Sequence, residues 1–174
     1  MARPLTEYKE LILKVLSCDT TTGVISWKVG GKNRKINTPI NSFMKTGYLR
    51  VGLRLNGKCR SFKQHHLVWF FHTGEWPSEQ IDHINNIKTD NRIENLRLAT
   101  DQQNKRNVFR RGDYTSQYKG VCWSKQMKKW KAKIKTDDKS LHLGYFTSEV
   151  EAAKAYEKAA ILYHKEFRRL QRNG

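Results

Sequence analysis

The dipeptide Asn56-Gly57 stands between two strand-like runs, and no other short feature constrains the fold of this chain as strongly. Leucine and valine occupy every second position from 49 to 55, and Tyr48, Arg50 and Arg54 lie between them. Asn-Gly is the favoured two-residue loop of a β-hairpin, because both positions need positive φ. The sequence therefore predicts a hairpin with a return strand over about 58–63, one buried face, and both arginines on the open face.

Helical and extended patterns lie on both sides of this hairpin. Residues 5–16 have apolar side chains at helical spacing, and 24–29 have the composition of a short strand. An apolar run over 65–73 predicts a helix that stops at Gly74, and 81–84 predicts a second short strand. The Asn- and Asp-rich stretch after that strand is predicted to be an irregular loop, and a further helix is predicted to begin near residue 100.

The chain of 174 residues has a formal net charge of +18, from 34 lysines and arginines against 16 aspartates and glutamates. Basic proteins of this kind bind polyanions, because the counterions released from phosphates favour association. No apolar run of about 18 residues is present, which disfavours a membrane partner. Cys18, Cys59 and Cys122 are far apart, so neither a zinc knuckle nor a disulfide framework is indicated.

A group of polar residues between 66 and 104 has the clearest chemical meaning. It consists of His66, Asp82, His83, Asn95 and Asn104. Hydrolysis of a phosphodiester needs a base with a pKa near neutrality, and histidine is the natural choice. It also needs positive charge at the phosphate, which a divalent cation supplies when carboxylate and amide oxygens bind it. Neighbouring residues of a strand point to opposite faces, so one of Asp82 and His83 can bind metal while the other faces the water.

The stretch HHLVWFFHTGEWPSEQIDHINNIKTDNRIENLRLATDQQN resembles the HNH family of endonucleases, in its phage and homing branch. The matching pieces are H-L-V beginning at His66, I-D-H at 81–83, D-N-R-I-E-N-L-R at 90–97, and the final asparagine at 104. The resemblance implies a ββα-metal fold, with two strands and a helix around one cation, Mg²⁺ or Mn²⁺. The final motif position is asparagine rather than histidine, which disfavours zinc.

The same resemblance implies a role for each residue of the group. His83 is the general base, Asp82 and Asn104 bind the metal, and the products have 5′-phosphate and 3′-hydroxyl ends. Asn95 is the middle asparagine, expected to hold the loop and the His83 backbone by side-chain hydrogen bonds. His66 either supports the metal site or only packs. The other histidines are expected to be structural or at the surface: His65, His72, His142 and His164.

The C-terminal third has the pattern of three strands, over 118–123, 130–135 and 141–146, and a helix that begins with the capping box Ser148 to Glu151. The pieces Y-K-G-V, W-K-A-K-I-K, L-G-Y-F and S-E-V-E-A-A-K-A-Y-E-K-A-A resemble the AP2 DNA-binding domain. That resemblance implies a sheet that lies in the major groove of DNA. The residues expected on the DNA-facing side are Lys119, Trp123, Lys131, Lys133 and Lys135. The alternative for these lysines is a solvated strand.

We therefore expect an α+β chain with a ββα-metal HNH nuclease domain over 1–107, whose core covers about 62–107, and an AP2-like domain of three antiparallel strands and a helix over 117–174. The basic segment 108–116 is expected to link them. Four arginines are expected to contact DNA: Arg50 and Arg54 of the hairpin, and Arg110 and Arg111 of this segment. The predicted function is metal-dependent cleavage of double-stranded DNA by a monomer or weak dimer in the cytoplasm, or in the host cytoplasm if the chain is phage-encoded. No membrane partner and no small-molecule cofactor are expected. Two alternatives stay open: a non-catalytic, sequence-specific DNA-binding regulator of AP2 type, and an RNA-binding protein.

Overall fold

Four helices and ten short strands make up the part of the chain that the computed structural model describes, which is residues 6–32, 34–55, 57–107, 115–136 and 139–165. The helices are α1 (Thr6–Val15), α2 (Gln64–Thr73), α3 (Asp101–Asn107) and α4 (Glu149–His164). The strands are β1 (Leu16–Asp19), β2 (Val24–Trp27), β3 (Ser42–Phe43), β4 (Leu49–Leu55), β5 (Lys58–Lys63), β6 (Gln80–His83), β7 (Leu96–Ala99), β8 (Val121–Ser124), β9 (Lys129–Lys135) and β10 (Ser140–Phe146). This mixture agrees with the predicted α+β class. None of the helices in the described ranges combines the length and apolar character needed to cross a bilayer.

The chain divides into two compact units, Met1–Thr100 and Asp101–Gly174. The first contains α1, α2 and the strands from β1 to β7, and the second contains α3, α4 and the strands from β8 to β10. The division falls before α3, whereas the sequence pattern predicts this helix as part of the nuclease domain. Each unit is described separately below.

An apolar core between the helices and sheets stabilises the first unit. Ile12 of α1, Leu53 of β4 and Leu67 of α2 all have at most 1% of their surface exposed. Burying one aliphatic side chain of this kind contributes about 1.5–3 kcal/mol. The helical spacing predicted for 5–16 is thereby explained, although the helix ends at Val15 and Leu16 already pairs with β2 as the first residue of β1.

The predicted hairpin is confirmed. Strands β4 and β5 pair antiparallel, and Leu55 lies opposite Lys58 across the two-residue connection. Alternate residues of β4 enter the core, while Arg50 and Arg54 stay exposed as expected. Strand β3 pairs with the other edge of β4, inside a stretch whose polar composition predicts a loop.

A second hairpin, β6–β7, contains the residues of the HNH-like motif. Asp82 pairs with Arg97 and His83 with Leu96 in its antiparallel register. The sequence pattern predicts β6 correctly and assigns no element to the residues of β7, which lie between the predicted loop and the predicted helix. The two strands are joined by the Asn-rich loop, which ends in a short 3₁₀ helix over Ile93–Asn95.

In the second unit, α4 packs on one face of the three-stranded sheet β8–β9–β10. Ala132 of β9 and Ala152 of α4 are both completely buried in this contact. Gly120 lies directly before β8 with φ +78, and a Cβ there would lie 2.0 Å from Cδ2 of Tyr156. Only glycine therefore permits this close approach of β8 and α4. The three predicted strands and the capped helix are confirmed, with bounds that shift by one to three residues.

The other face of this sheet contains lysines at alternate positions of β9. We call Lys131, Lys133 and Lys135 the lysine face. From the sequence, Trp123 is also expected on the lysine face, but Trp123 lies on the opposite face of the sheet. It pairs with Trp130, and their rings make an edge contact with centroids 5.2 Å apart. Directly paired residues share a face of a sheet, and Trp130 packs against the core, so Trp123 lies on the α4 side.

Candidate active site

His83 lies at the end of β6, only 5% exposed, and aromatic rings pack around it. The His65 and Tyr48 rings have centroids 4.9 and 5.9 Å from the His83 ring. His83 Nε2 lies 3.1 Å from the side-chain oxygen of Asn91. Burial lowers the His83 pKa, because the charged imidazolium loses its hydration; the hydrogen bond to Asn91 and the charge of Asp82 oppose this effect. The net result is a His83 pKa below the ordinary value of 6.5, which favours the neutral imidazole at pH 7.

Asp82 is also buried, at 5% exposure, and contacts a cation on the neighbouring strand. Arg97 donates from Nε at 3.0 Å and from Nη2 at 2.8 Å, both to Oδ2 of Asp82. The pair is nearly dry, because the Arg97 side chain is only 14% exposed. A buried carboxylate of this kind is a fixed, hard oxygen donor beside His83.

Asn95 holds the loop between β6 and β7 together. Its Nδ2 donates to the backbone oxygen of Asp90 at 2.8 Å and to Oδ1 of Asn85 at 3.0 Å. Its Oδ1 accepts from the backbone N–H of Asn85 at 3.0 Å. It is the backbone of Asn95 that contacts Ile84, the residue after His83. The Ile84 N–H donates to the Asn95 carbonyl at 2.9 Å. The side chain thus holds the loop and not the His83 backbone directly.

Asn104, the expected second metal ligand, lies half-buried on α3 and therefore in the second unit. Among the residues that the structure describes, no three His, Cys, Asp or Glu side chains are grouped as metal ligands. The carboxylate of Asp82 and the amide of Asn104 are hard oxygen donors. They fit Mg²⁺ or Mn²⁺, since Mg²⁺ keeps several waters and takes only one or two carboxylates from the protein.

His65 is a site residue that the sequence does not single out. It is 2% exposed, and its ring lies between those of Tyr48 and His83, at centroid distances of 5.0 and 4.9 Å. Burial, followed by the electrostatic effects of His66, His83 and Lys63, lowers the pKa of His65 to about 2. An H-x-L-V spacing begins at His65 rather than at its neighbour, and this signal could have identified it. His66 is partly buried, and burial lowers its pKa to about 4.

Two lysines near Tyr48 add positive charge beside His83, and the sequence does not single these out either. The Nζ atoms of Lys63 and Lys88 lie 5.2 and 4.8 Å from the centre of the Tyr48 ring. Lys88 also donates to the backbone oxygen of Thr46 at 2.7 Å, which fixes its position. The charge of Lys88 contributes to lowering the His83 pKa, so this cation lies within electrostatic reach of the imidazole. Burial and the charge of Asp82 raise the pKa of Tyr48.

The second unit has a basic cavity of about 340 Å³ next to the lysine face. Its lining includes Lys105, Lys119, Lys133 and Lys135, together with the hydroxyl groups of Ser140 and Tyr156. Lys119 Nζ donates to the backbone oxygen of Lys105 at 3.4 Å, and Lys105 pairs with Asp101 one turn earlier. The cavity is a concave, cationic surface suited to phosphate groups.

The remaining expected site residues have simpler environments. Arg50 donates to Ser42 Oγ at 3.3 Å from an exposed position. His164 is buried and bonds the Lys135 carbonyl at 2.9 Å, as expected of a structural histidine, whereas His72 is exposed on α2. Two of the expected DNA contacts lie outside the described residues: Arg110 and Arg111.

Part of the chain, including most residues of this site, is similar to a known protein family. Residues 62–106 match the family described as HNH endonuclease. The matched segment includes Asp82, His83, Asn95 and Asn104.

The chain is also similar to parts of individual proteins. It is 32% identical to Protein 3.8 of Escherichia phage T7 over 78 residues, 44% of this chain and 64% of that protein. It is 47% identical over 38 residues to an ethylene-responsive transcription factor-like protein of Arabidopsis thaliana, 22% of this chain and 17% of that one. The solved structure of the HNH homing endonuclease I-HmuI, which concerns DNA binding and cleavage, matches with a TM-score of 0.41 and 29% identity, over 53% of this chain and 51% of that one. The chain thus spans less than two thirds of the length of these relatives.

Proposed function

We propose that this chain is a divalent-metal-dependent endonuclease of phage or homing type that hydrolyses phosphodiester bonds in double-stranded DNA. One observation carries the proposal: a buried imidazole with a lowered pKa, His83, lies next to a buried carboxylate, Asp82, within the segment that matches HNH endonucleases. A base and a hard oxygen donor in adjacent positions are what phosphodiester hydrolysis needs. A phage origin, in line with the T7 relative, would make the host cytoplasm its place of action.

In the proposed reaction His83 is the general base. Its Nε2 donates to the Asn91 oxygen, so the lone pair of the neutral ring is on Nδ1. Nδ1 then takes a proton from the attacking water. The lowered pKa keeps this lone pair available at neutral pH, and general-base catalysis of this kind contributes about 10²–10⁴-fold to a rate.

Asp82 and Asn104 would hold one cation, Mg²⁺ or Mn²⁺. When bound, that ion supplies positive charge at the scissile phosphate and at the leaving oxygen. Arg97 keeps the Asp82 carboxylate fixed in place, through its two hydrogen bonds to Oδ2. Lys63 and Lys88 add positive charge at the same place, which orients the phosphate group toward His83.

The second unit is proposed to bind the DNA backbone through the lysine face and the basic cavity. The alternation of β9 supports this, because Ala132 and Ile134 hold the sheet to α4 and the lysines take no part in that packing. The similarity to a transcription factor-like protein agrees with a DNA-binding role for part of the chain. The same similarity favours a second candidate function, a non-catalytic DNA-binding regulator.

Supercoiled plasmid incubated with Mg²⁺ or with Mn²⁺ tests the proposal. The wild-type chain should convert it to nicked or linear DNA, and an excess of chelator should stop the reaction. His83→Ala should slow cleavage by about 10²–10⁴-fold. His72→Ala is the matched control, because His72 is exposed on α2 and should be dispensable. Labelled top and bottom strands would then show whether one strand or both are cut.

Two results would overturn the proposal in different ways. Intact plasmid with either cation, together with tight binding of duplex DNA, would favour the regulator. Equal cleavage by wild type and His83→Ala would leave a nuclease but would remove His83 as its base. Competition of labelled duplex DNA by RNA addresses the RNA-binding alternative.

A further inference from the structure

The turn between β1 and β2 lies against the backbone of Asn91, in the loop beside His83. We propose that this turn and Asn91 act together as a positioning device that fixes the tautomer of His83. Gly23 and Asn91 would then be positioning residues, since neither needs to touch the DNA. The consequence for cleavage depends on the proposed nuclease function, whereas the tautomer itself can be measured without any substrate.

The contact between turn and loop is tight. A Cβ on Gly23 would lie 2.3 Å from the carbonyl carbon of Asn91 and 2.5 Å from the backbone nitrogen of Arg92. Both of these are backbone atoms, so no side-chain rotation can relieve the overlap. Gly23 also has φ +73, a conformation that other residues adopt at a cost. One hydrogen bond crosses the contact, from the Ile93 N–H to the Thr20 carbonyl at 2.9 Å.

Hydrogen bonds that Asp19 accepts make the turn rigid. Its Oδ1 accepts from the backbone N–H of Thr21 at 2.9 Å and from the Thr21 hydroxyl at 2.6 Å. Its backbone oxygen accepts from the Gly23 N–H at 2.8 Å. An aspartate that bonds the backbone two residues ahead is a common way to stabilise a turn. The surface that Asn91 rests on is therefore fixed.

The loop side of the contact is fixed as well. Asp90 and Arg92, on either side of Asn91, form a two-point ion pair with distances of 2.9 and 2.8 Å. Asn91 itself is 2% exposed, and its Nδ2 is buried without a hydrogen-bond partner among the described residues. The side-chain oxygen contacts His83 Nε2 at 3.1 Å. The backbone on both sides thus determines where this amide lies.

This geometry has a direct chemical consequence for His83. An oxygen opposite Nε2 requires the proton on that nitrogen and leaves the lone pair on Nδ1. Rotation of the amide by half a turn would present Nδ2 instead and would favour the opposite tautomer. Partners that orient a functional histidine typically change activity by about 10–100-fold when they are removed.

Nuclear magnetic resonance of the full chain with isotope-labelled histidine tests the first half of the proposal. The imidazole ¹⁵N and ¹³C shifts distinguish the two neutral tautomers, and the signal that disappears in His83→Gln identifies the residue. We expect the Nε2–H form in the wild type and in Asn91→Asp, which keeps an oxygen acceptor. Asn91→Ala should give a mixture of tautomers.

Gly23→Ala tests whether the turn between β1 and β2 positions Asn91, and Gly57→Ala is its matched control. Gly57 has a similar φ, +76, but a Cβ there would meet nothing within 4 Å. The two variants therefore share the backbone strain and differ in the overlap with Asn91. We expect Gly23→Ala to change the His83 tautomer signal and to lower kcat by about tenfold or more, with a smaller effect on KM. Gly57→Ala should leave both unchanged.

The proposal is overturned if the wild type has the Nδ1–H form, if Asn91→Ala keeps the wild-type tautomer, or if both glycine variants behave alike. A wild-type chain that cuts no DNA would remove the proposed function, but the tautomer measurements would still decide this inference. If Asn91→Ala unfolds, two other variants supply the comparison in a folded chain: Asn91→Asp should keep the wild-type tautomer of His83, and Gly23→Ala should change it.

Discussion

Acidification should destabilise the first unit through His65. This side chain is 2% exposed, and burial lowers its pKa to about 2 from the ordinary value of 6.5. The folded unit therefore keeps residue 65 neutral under conditions in which the unfolded chain takes up a proton there. The pKa of His65 in the folded unit lies below its value in the unfolded chain. The free energy of unfolding therefore has its full value above pH 6.5 and decreases as the pH falls below 6.5.

The size of this effect follows from the same pKa difference. Each pH unit below the unfolded pKa costs about 1.4 kcal/mol, so about two units, from pH 6.5 to 4.5, cost about 2.7 kcal/mol. That is a large part of the total free energy of unfolding of a single domain, which is about 5–15 kcal/mol. His66, with a pKa of about 4, acts in the same direction over the same range.

Urea unfolding of the full chain at about pH 7.5 and pH 4.5 measures the loss, and hydrogen exchange of the α2 amides assigns it to the first unit. His65→Phe keeps an aromatic ring beside Tyr48 but cannot titrate. Its acid-induced loss should therefore be smaller than that of the wild type by about 2.7 kcal/mol. His72→Phe, at an exposed position, should behave as the wild type. An equal loss in wild type and His65→Phe would refute the assignment to the buried imidazole.

Three further predictions concern other parts of the molecule. Arg97→Ala removes the guanidinium from the buried Asp82 carboxylate and should lower the free energy of unfolding by about 3–5 kcal/mol in chemical denaturation. Gly120→Ala places a Cβ 2.0 Å from Tyr156 at φ +78 and should destabilise the second unit by about 1–3 kcal/mol or more, seen as faster hydrogen exchange in α4. Alanine at all positions of the lysine face should flatten the plot of log Kd against log salt by about 0.9 for each DNA phosphate that is no longer neutralised, measured by fluorescence anisotropy with duplex DNA. An unchanged slope would mean that these lysines do not bind DNA.

Much of the fold could be predicted from local patterns. The β4–β5 hairpin follows from alternation and the Asn56-Gly57 turn, and α4 from its capping box, where Ser148 accepts a hydrogen bond from the Val150 N–H at 3.2 Å. Strand β7 could not be predicted as easily, because its four residues follow a polar loop and acquire their partners only from β6. The face on which Trp123 lies was predicted wrongly, because the register with Trp130 is set by pairing and not by composition.

The same distinction applies to the candidate site. Asp82 and His83 stand together in the sequence, and motif order alone identifies them. Asn91, in contrast, is one of several asparagines in a turn-rich loop, and only the folded chain brings its oxygen to His83 Nε2. Tyr48 is expected to share the open face of β4 with Arg50, yet its ring packs against His65 of α2 and His83 of β6. Contacts between distant segments carry no signal in a single sequence.

The two faces of β9 have different roles, and this difference has an evolutionary consequence. Ala132 and Ile134 are buried and hold the sheet to α4, whereas the lysines between them have no part in that packing. Substitutions at exposed positions usually change stability by less than about 0.5 kcal/mol. Selection can therefore vary the lysine face one residue at a time without endangering the fold. The His83 site lacks this freedom, because His83, Asp82 and Asn91 are all buried. If the proposed function holds, new target preferences should arise in the second unit.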